Sequence, residues 1–260
     1  MKYFFISDVH GEYDKMLTAL AAAKFEVQRD TLVTLGDLFD RGSKSKEVLQ
    51  FVMECPHHIC IIGNHDSRLK DILLGAHPNY YDNVNGVRET LKSFCNLSKL
   101  PTVWWGRELL KSDSTLQSIY RLLWHYLDEC VYAIEFADLI GTHGWLPVVQ
   151  KDGKLITDLR GGPTAAAWEQ AMWVNTETMI ANQVFPNKTL IIGHWHSYRL
   201  ATIFGNEKRI INNNVVNTST YIHQQDEHKV VCIDGATNLD NGQVNVFIYE
   251  SSEQPKIYIK

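Results

Sequence analysis

A chain of 260 residues, 45% apolar and 21% charged, has an ordinary globular balance and can bury a substantial core, as one domain or two small ones. Its formal net charge of −5 argues against a surface that grips nucleic acid nonspecifically, so no stable nucleic-acid partner is expected. A small nucleotide or a phosphoprotein stays open as a substrate, because a metal centre supplies its own positive charge.

In chain order, six short apolar runs each stop at a turn or a metal-binding side chain. The first covers residues 3–7 and ends at Asp8-Val9-His10-Gly11, with no signal-peptide layout before it. Tyr13, Met16, Leu17 and Leu20 then recur at helical spacing, which predicts a helix over 12–24. Residues 31–35 lead to Gly36-Asp37-Leu38-Phe39-Asp40-Arg41-Gly42, Val48, Leu49 and Val52 mark a second helix, and 59–62 lead to Gly63-Asn64-His65-Asp66. This strand–helix alternation builds parallel units. Residues 76–135 carry two helical patterns and no ligand-like motif, and are expected to be a helical insertion over or beside the site, within one domain spanning 1–260. Strands resume at 137–141 before His143, at 189–192 before Gly193-His194-Trp195-His196, and at 230–233 before Asp234; Val244–Tyr249 and Ile257–Ile259 close the chain.

The residue types collected at these strand ends suit cations. A carboxylate can bridge two metals, and Asp37, which follows Gly36 in a tight turn, is the natural bridge. Asp8 and His10 can reach one metal if the strand stops there. Asn64 offers a neutral carbonyl oxygen, and His143 and His194 offer imidazole nitrogens, which suit Mn²⁺, Fe or Zn²⁺ better than Ca²⁺. Two such cations about 3.5–4 Å apart activate a bridging water and clamp phosphate oxygens, while Arg41 has a planar fork that matches two of them.

The ordered set Asp-x-His-Gly, Gly-Asp-x-x-Asp-Arg-Gly, Gly-Asn-His-Asp, His-Gly and Gly-His-x-His resembles the calcineurin-like metallophosphoesterases. Asp37–Gly42 looks most like the phosphoprotein-phosphatase branch and its bacterial and phage relatives. The resemblance implies an α/β fold of two mixed sheets packed face to face and flanked by helices. It implies Asp8, His10, Asp37 and His196 on one divalent ion and Asp37, Asn64, His143 and His194 on a second, with Mn²⁺ the expected metal. A hydroxide bridging the two would attack phosphorus directly, with His65 as proton donor to the leaving group, Asp40 orienting it, and Arg41 and Asn64 contacting the phosphate.

Two departures from that pattern bear on the substrate. Phosphoprotein phosphatases usually lack the His at 196. Phage-type enzymes carry a second phosphate-binding Arg about where Asn175 falls, leaving Asn175 itself, Arg160 or Arg199 to serve. The leading expectation is a phosphomonoesterase similar to serine/threonine protein phosphatases. Its alternative is a hydrolase of dinucleoside polyphosphates, since Gly193-His194-Trp195 resembles a segment of the symmetrical diadenosine tetraphosphatases, or a phosphodiesterase of the same superfamily; a non-catalytic metal-binding module ranks lower. His57, His58, His77, His125, His223 and His228 have no partner spacing and read as surface or packing residues, and Trp104-Trp105 as core or lid. The five cysteines, scattered and without a Cys-x-x-Cys pair, read as buried reduced thiols. With no apolar run near the roughly 18–20 residues of a membrane span, the expected location is the cytoplasm; oligomeric state stays open.

Overall fold

A computed structural model of the chain describes residues 1–95, 114–159, 162–205 and 219–260. All six apolar runs form strands. Lys2–Ile6 (β1), Thr31–Thr34 (β2) and His58–Cys60 (β3) run parallel, joined through helices Tyr13–Ala22 (α1) and Ser45–Glu54 (α2), with Phe247–Glu250 (β11) antiparallel at the edge beside β1. A second sheet has the order β12-β4-β5-β8-β10-β9. Its parallel centre is Leu139–Thr142 (β5), Thr189–Ile192 (β8) and His228–Cys232 (β10). Its antiparallel flanks are Ala133–Glu135 (β4), Tyr221–Gln225 (β9) and Lys256–Tyr258 (β12). A small hairpin, Val148–Lys151 (β6) and Lys154–Thr157 (β7), turns through Asp152-Gly153, both at positive φ as a tight primed turn requires.

Strand alternation divides the core into layers. Tyr3, Phe5, Val33, Leu35 and Ile61 of the first sheet meet Ile134, Leu139, Ile191, Val231 and Ile233 of the second in one buried layer. The intervening Ile6, Leu32, Leu190, Ile192 and Val230 face the helices outside. Burying each such side chain contributes about 1.5–3 kcal/mol, and the larger share of the buried apolar side chains lies between sheets and helices. The sheets are also stitched by backbone: Val131 N–H donates to Cys60 O (2.8 Å), and Ile62 N–H donates to Val131 O (2.9 Å).

The insertion forms helices Tyr80–Asn85 (α4), Val87–Cys95 (α5) and Ser114–Glu129 (α6), after Asn64–Leu74 (α3). Helices α5 and α6 pack on α2, and α6 also on α3. The helical stretch ends earlier than residue 135, because Ala133–Glu135 is strand β4, paired on both edges. Three residues are too few to display a strand period. Trp104-Trp105, like Asn212-Asn213-Asn214, lies outside the described residues. All five cysteines are buried and free. Among the described residues no helix is long and apolar enough to cross a membrane.

Candidate metal centre

Each of the five motifs lies just beyond the carboxyl end of a strand, and the backbone there is unusual. Asp8, His10, Asp37, Asp40, Arg41 and His194 all have φ between 49° and 70°. Left-handed backbone costs a non-glycine residue energy, least so for Asp, Asn and His, and clusters where a site requires it. Here it turns the backbone abruptly at each strand end. Gly36, at φ 86°, has its Cα against the backbone of Gly63, where a Cβ has no room. The loops are laced together: Asp8 N–H donates to Gly36 O (3.1 Å), His10 N–H to Asp37 O (3.1 Å) and Gly42 N–H to His10 O (2.9 Å).

Two groups of donor atoms meet at Asp37. Those of Asp37, His143 and His194 lie within 4.8 Å of one another, as do those of His10, Asp37 and His65. Backbone carbonyls set the imidazole tautomers. His10 Nδ1 is 2.8 Å from Phe39 O and His143 Nδ1 is 2.6 Å from Leu35 O, so each donates there and turns the Nε2 lone pair inward. His143 Nε2 then faces Asn64 Oδ1 at 2.8 Å and Asp37 Oδ2 at 3.5 Å. An imidazole nitrogen, an amide oxygen and a carboxylate oxygen thus converge, a set that one cation can satisfy together. Burial pushes the His10 pKa well below the ordinary value, with Arg41 adding to it, and brings that of His194 down to about 3, so both rings are neutral and able to ligate.

His65 differs. Burial works against its charge, but Asp37 and Asp40 more than offset this and push its pKa up to about 9. Its Nδ1 donates to Asp40 Oδ2 (2.7 Å), and a protonated ring has no lone pair for a metal, so His65 is suited to proton donation and not to ligation. Its Nε2 stands 3.4 Å from Arg41 Nη2. Two cationic donors this close together favour an anion beside them; Arg41 is steadied by Asn238, whose Oδ1 accepts from Nη1 (3.2 Å).

The remaining sequence candidates lie around this centre. Asp8 is buried, its Oδ2 accepting from Ser7 Oγ and from His194 N–H (2.9 Å), and it joins neither donor group directly. His196 also stands apart, with Nε2 3.8 Å from Asp234 Oδ2 and its ring stacked on Tyr198. Asn175 caps helix Thr176–Ala181 (α8), its Oδ1 accepting from Thr178 N–H (3.0 Å), so its carbonyl is occupied by the helix end. Arg199 is exposed and lies over the Trp195 ring at 5.2 Å. Arg160 falls outside the described residues.

A family model described as calcineurin-like phosphoesterase matches residues 1–210. The chain belongs to that family. Among curated relatives, the symmetrical bis(5'-nucleosyl)-tetraphosphatase of Klebsiella pneumoniae subsp. pneumoniae is 40% identical over 80 residues, 30% of this chain and 28% of the relative. The enzyme of the same name from Yersinia pestis strain Pestoides F is 39% identical over an equal stretch. The matches thus span under a third of those relatives' length. Among solved structures, one provisionally named a diadenosine tetraphosphatase aligns with TM-score 0.54 at 14% identity, over 99% of this chain and 93% of its own. The cold-active protein-tyrosine phosphatase of a psychrophilic Shewanella aligns at 0.50 and 15% identity, over 98% and 80%. At such identities the structures attest the fold alone, two large mixed sheets flanked by helices.

Several residues that brace this candidate site are given no task by the motifs. Asp66 Oδ2 accepts from Asp37 N–H (2.8 Å) and Gly63 N–H (3.0 Å), tying two loops together, though Gly-Asn-His-Asp assigns it no role. Thr90 of α5 donates to Asp40 Oδ1 (2.8 Å) and accepts from Asp40 N–H (2.7 Å). Gly86, at φ 96° between α4 and α5, lies against the backbone of Arg41 so closely that a Cβ has no room. Only Asn85-Gly86, just ahead of the helical pattern that starts at Val87, could have signalled it. Gly86→Ala is expected to destabilise the chain by about 2 kcal/mol or more, from left-handed strain plus the clash, and to lower phosphate affinity as Arg41 shifts. A denaturant midpoint and phosphate inhibition constant equal to wild type would show that Arg41 is placed without it.

Proposed function

We propose that the chain is a metal-dependent hydrolase of dinucleoside polyphosphates, cleaving the tetraphosphate chain at its middle. The observation that carries the hydrolytic reading is the convergence of His10, His143 and His194 on Asp37, with a protonated His65 and Arg41 beside them. Asp8, His10 and Asp37 would hold one ion, joined by His196 once its ring turns from Asp234; Asp37, Asn64, His143 and His194 would hold the other. Bound there, divalent ions, with Mn²⁺ expected and Fe or Zn²⁺ suited to the same donors, would activate water and neutralise phosphate charge. The protein's own part is to seat the phosphate against Arg41, keep His65 protonated through Asp40, and deliver that proton to the departing oxygen.

For the substrate, the dinucleotide alternative is preferred over the protein-phosphatase expectation. Support comes from the names of the curated relatives, and from Asn175, which presents no guanidinium where phage-type enzymes carry a phosphate-binding Arg. Mn²⁺-loaded protein given diadenosine tetraphosphate is expected to yield ADP alone, and to leave a phosphoserine peptide nearly untouched. Chromatography showing ATP plus AMP would refute symmetrical cleavage. Phosphate release from the peptide without cleavage of the dinucleotide would return the reading to a protein phosphatase.

A further inference from the structure

Beside His65 the surface opens into a cavity of about 490 Å³, within the range of pockets that hold small molecules. Asp40, Asn64 and His65 form its inner wall, so it is continuous with the metal centre. Further out it is lined by Trp173 and Tyr81, two aromatic side chains that the fold leaves 61% and 71% exposed. Trp173 follows helix Ala165–Met172 (α7), and its ring lies edge-on to His194 with centroids 6.4 Å apart. Tyr81 belongs to α4 of the insertion, so the two come from segments far apart in sequence.

The polar groups of this cavity indicate what it takes. Beyond His65 at the inner wall, the cation there is Arg68, and it is already neutralised: Nε and Nη2 donate to both oxygens of buried Asp82, at 2.8 and 2.6 Å. A guanidinium held in this fork has little left for a phosphate. Asn85, half-buried in the lining, makes no side-chain hydrogen bond among the described residues. Beyond His65 the recess therefore offers aromatic faces, a compensated ion pair and one spare amide with both donor and acceptor. That is a poor match for an anion and a good one for a flat, uncharged heterocycle with a hydrogen-bonding edge.

We infer that this recess is the subsite for the base of the departing nucleotide, stacked on Trp173 with Tyr81 as a second wall and Asn85 at its edge. The inference rests on the dinucleotide reading. His65 fixes the side: it forms part of the cavity wall and is the group aimed at the departing oxygen, so what leaves lies in the cavity. The insertion thereby acquires a substrate role through α4, distinct from the bracing that α5 gives to Asp40.

The test compares ADP and pyrophosphate as competitive inhibitors of Mn²⁺-loaded wild type, Trp173→Ala, Trp173→Phe and Tyr81→Ala. Stacking on an aromatic side chain leads to an expected rise of roughly tenfold in the ADP inhibition constant for Trp173→Ala, a smaller rise for Tyr81→Ala, and near wild-type binding for Trp173→Phe. Pyrophosphate, which has no base, should shift by under about twofold. Equal shifts for both inhibitors, or none for either, would overturn the subsite while leaving the dinucleotide reading intact. Wild type that cleaves p-nitrophenyl phosphate but not diadenosine tetraphosphate would overturn the reading, and the subsite with it.

Discussion

Asp37→Asn is expected to reduce turnover of every phosphoester by roughly a thousandfold or more, and to lower metal content from two ions per chain to one or none. Partners that only orient a ligand typically cost 10–100-fold in metal affinity or activity, and a shared ligand should exceed them. Asp37 is the residue common to both donor groups, with Oδ2 3.5 Å from His143 Nε2 and 3.9 Å from His65 Nε2. Burial works against its charge, yet His143 and His65 overcome this and hold the carboxyl below the usual carboxylate range. Asn keeps the Oδ1 acceptor used by His65 N–H and tolerates the left-handed backbone, so the loss is of charge and bridging, not of the turn. Elemental analysis beside kinetics checks it. Two ions retained with near-normal turnover would remove Asp37 from the bridging position.

His65→Asn should cost about a hundredfold or more on an alkyl phosphate, and under about tenfold on p-nitrophenyl phosphate, whose leaving group scarcely needs a proton. Equal losses on both would mean that His65 serves binding alone. The pH behaviour follows in sign from its raised pKa. In metal-free protein the ring keeps its second proton through neutral pH and releases it only as pH rises through about 9. Removing the carboxylate by Asp40→Asn should move that titration towards lower pH, and added divalent cations should do the same through repulsion. Nuclear magnetic resonance titration of the imidazole reads this directly. A midpoint near the ordinary histidine value, unchanged by Asp40→Asn, would end Asp40's role as its partner.

Much of the fold was legible because its strands are short apolar runs stopped by glycine, so that strand ends and donor residues are announced together. The meeting of Asp37 with His143 and His194 was legible for the same reason. What escaped sits where no pattern marks it. Thr90 and Gly86 act from the insertion on the backbone of Asp40 and Arg41, a contact 50 residues away in sequence that helical spacing cannot express. Asp66 lies inside a motif, yet its task is to accept two loop N–H groups, which depends on where the second loop arrives. Asn175 shows the converse: its position in the chain suggested phosphate contact, while local chemistry uses it to cap α8. Strand β4 was absorbed into the insertion because three residues carry no period. The substrate branch was the least legible, since the motifs belong to the whole family and not to one of its substrates.

The left-handed residues at the strand ends restrict what may replace them before any chemistry is considered. A β-branched or bulky side chain at 8, 10, 37, 40 or 194 meets its own backbone, whereas Asn and Gly fit with little penalty. The repertoire open to mutation is therefore narrow, and short polar residues are the permitted currency of drift at these positions. Substitution by Val or Ile there adds backbone strain of about 1–3 kcal/mol to the loss of the side chain, while Asn changes the side chain with little strain. Sequence variants that keep the backbone but lose the metal are then expected to carry Asn or Gly at these sites, a signature by which inactive descendants of such a chain could be told apart from merely damaged ones.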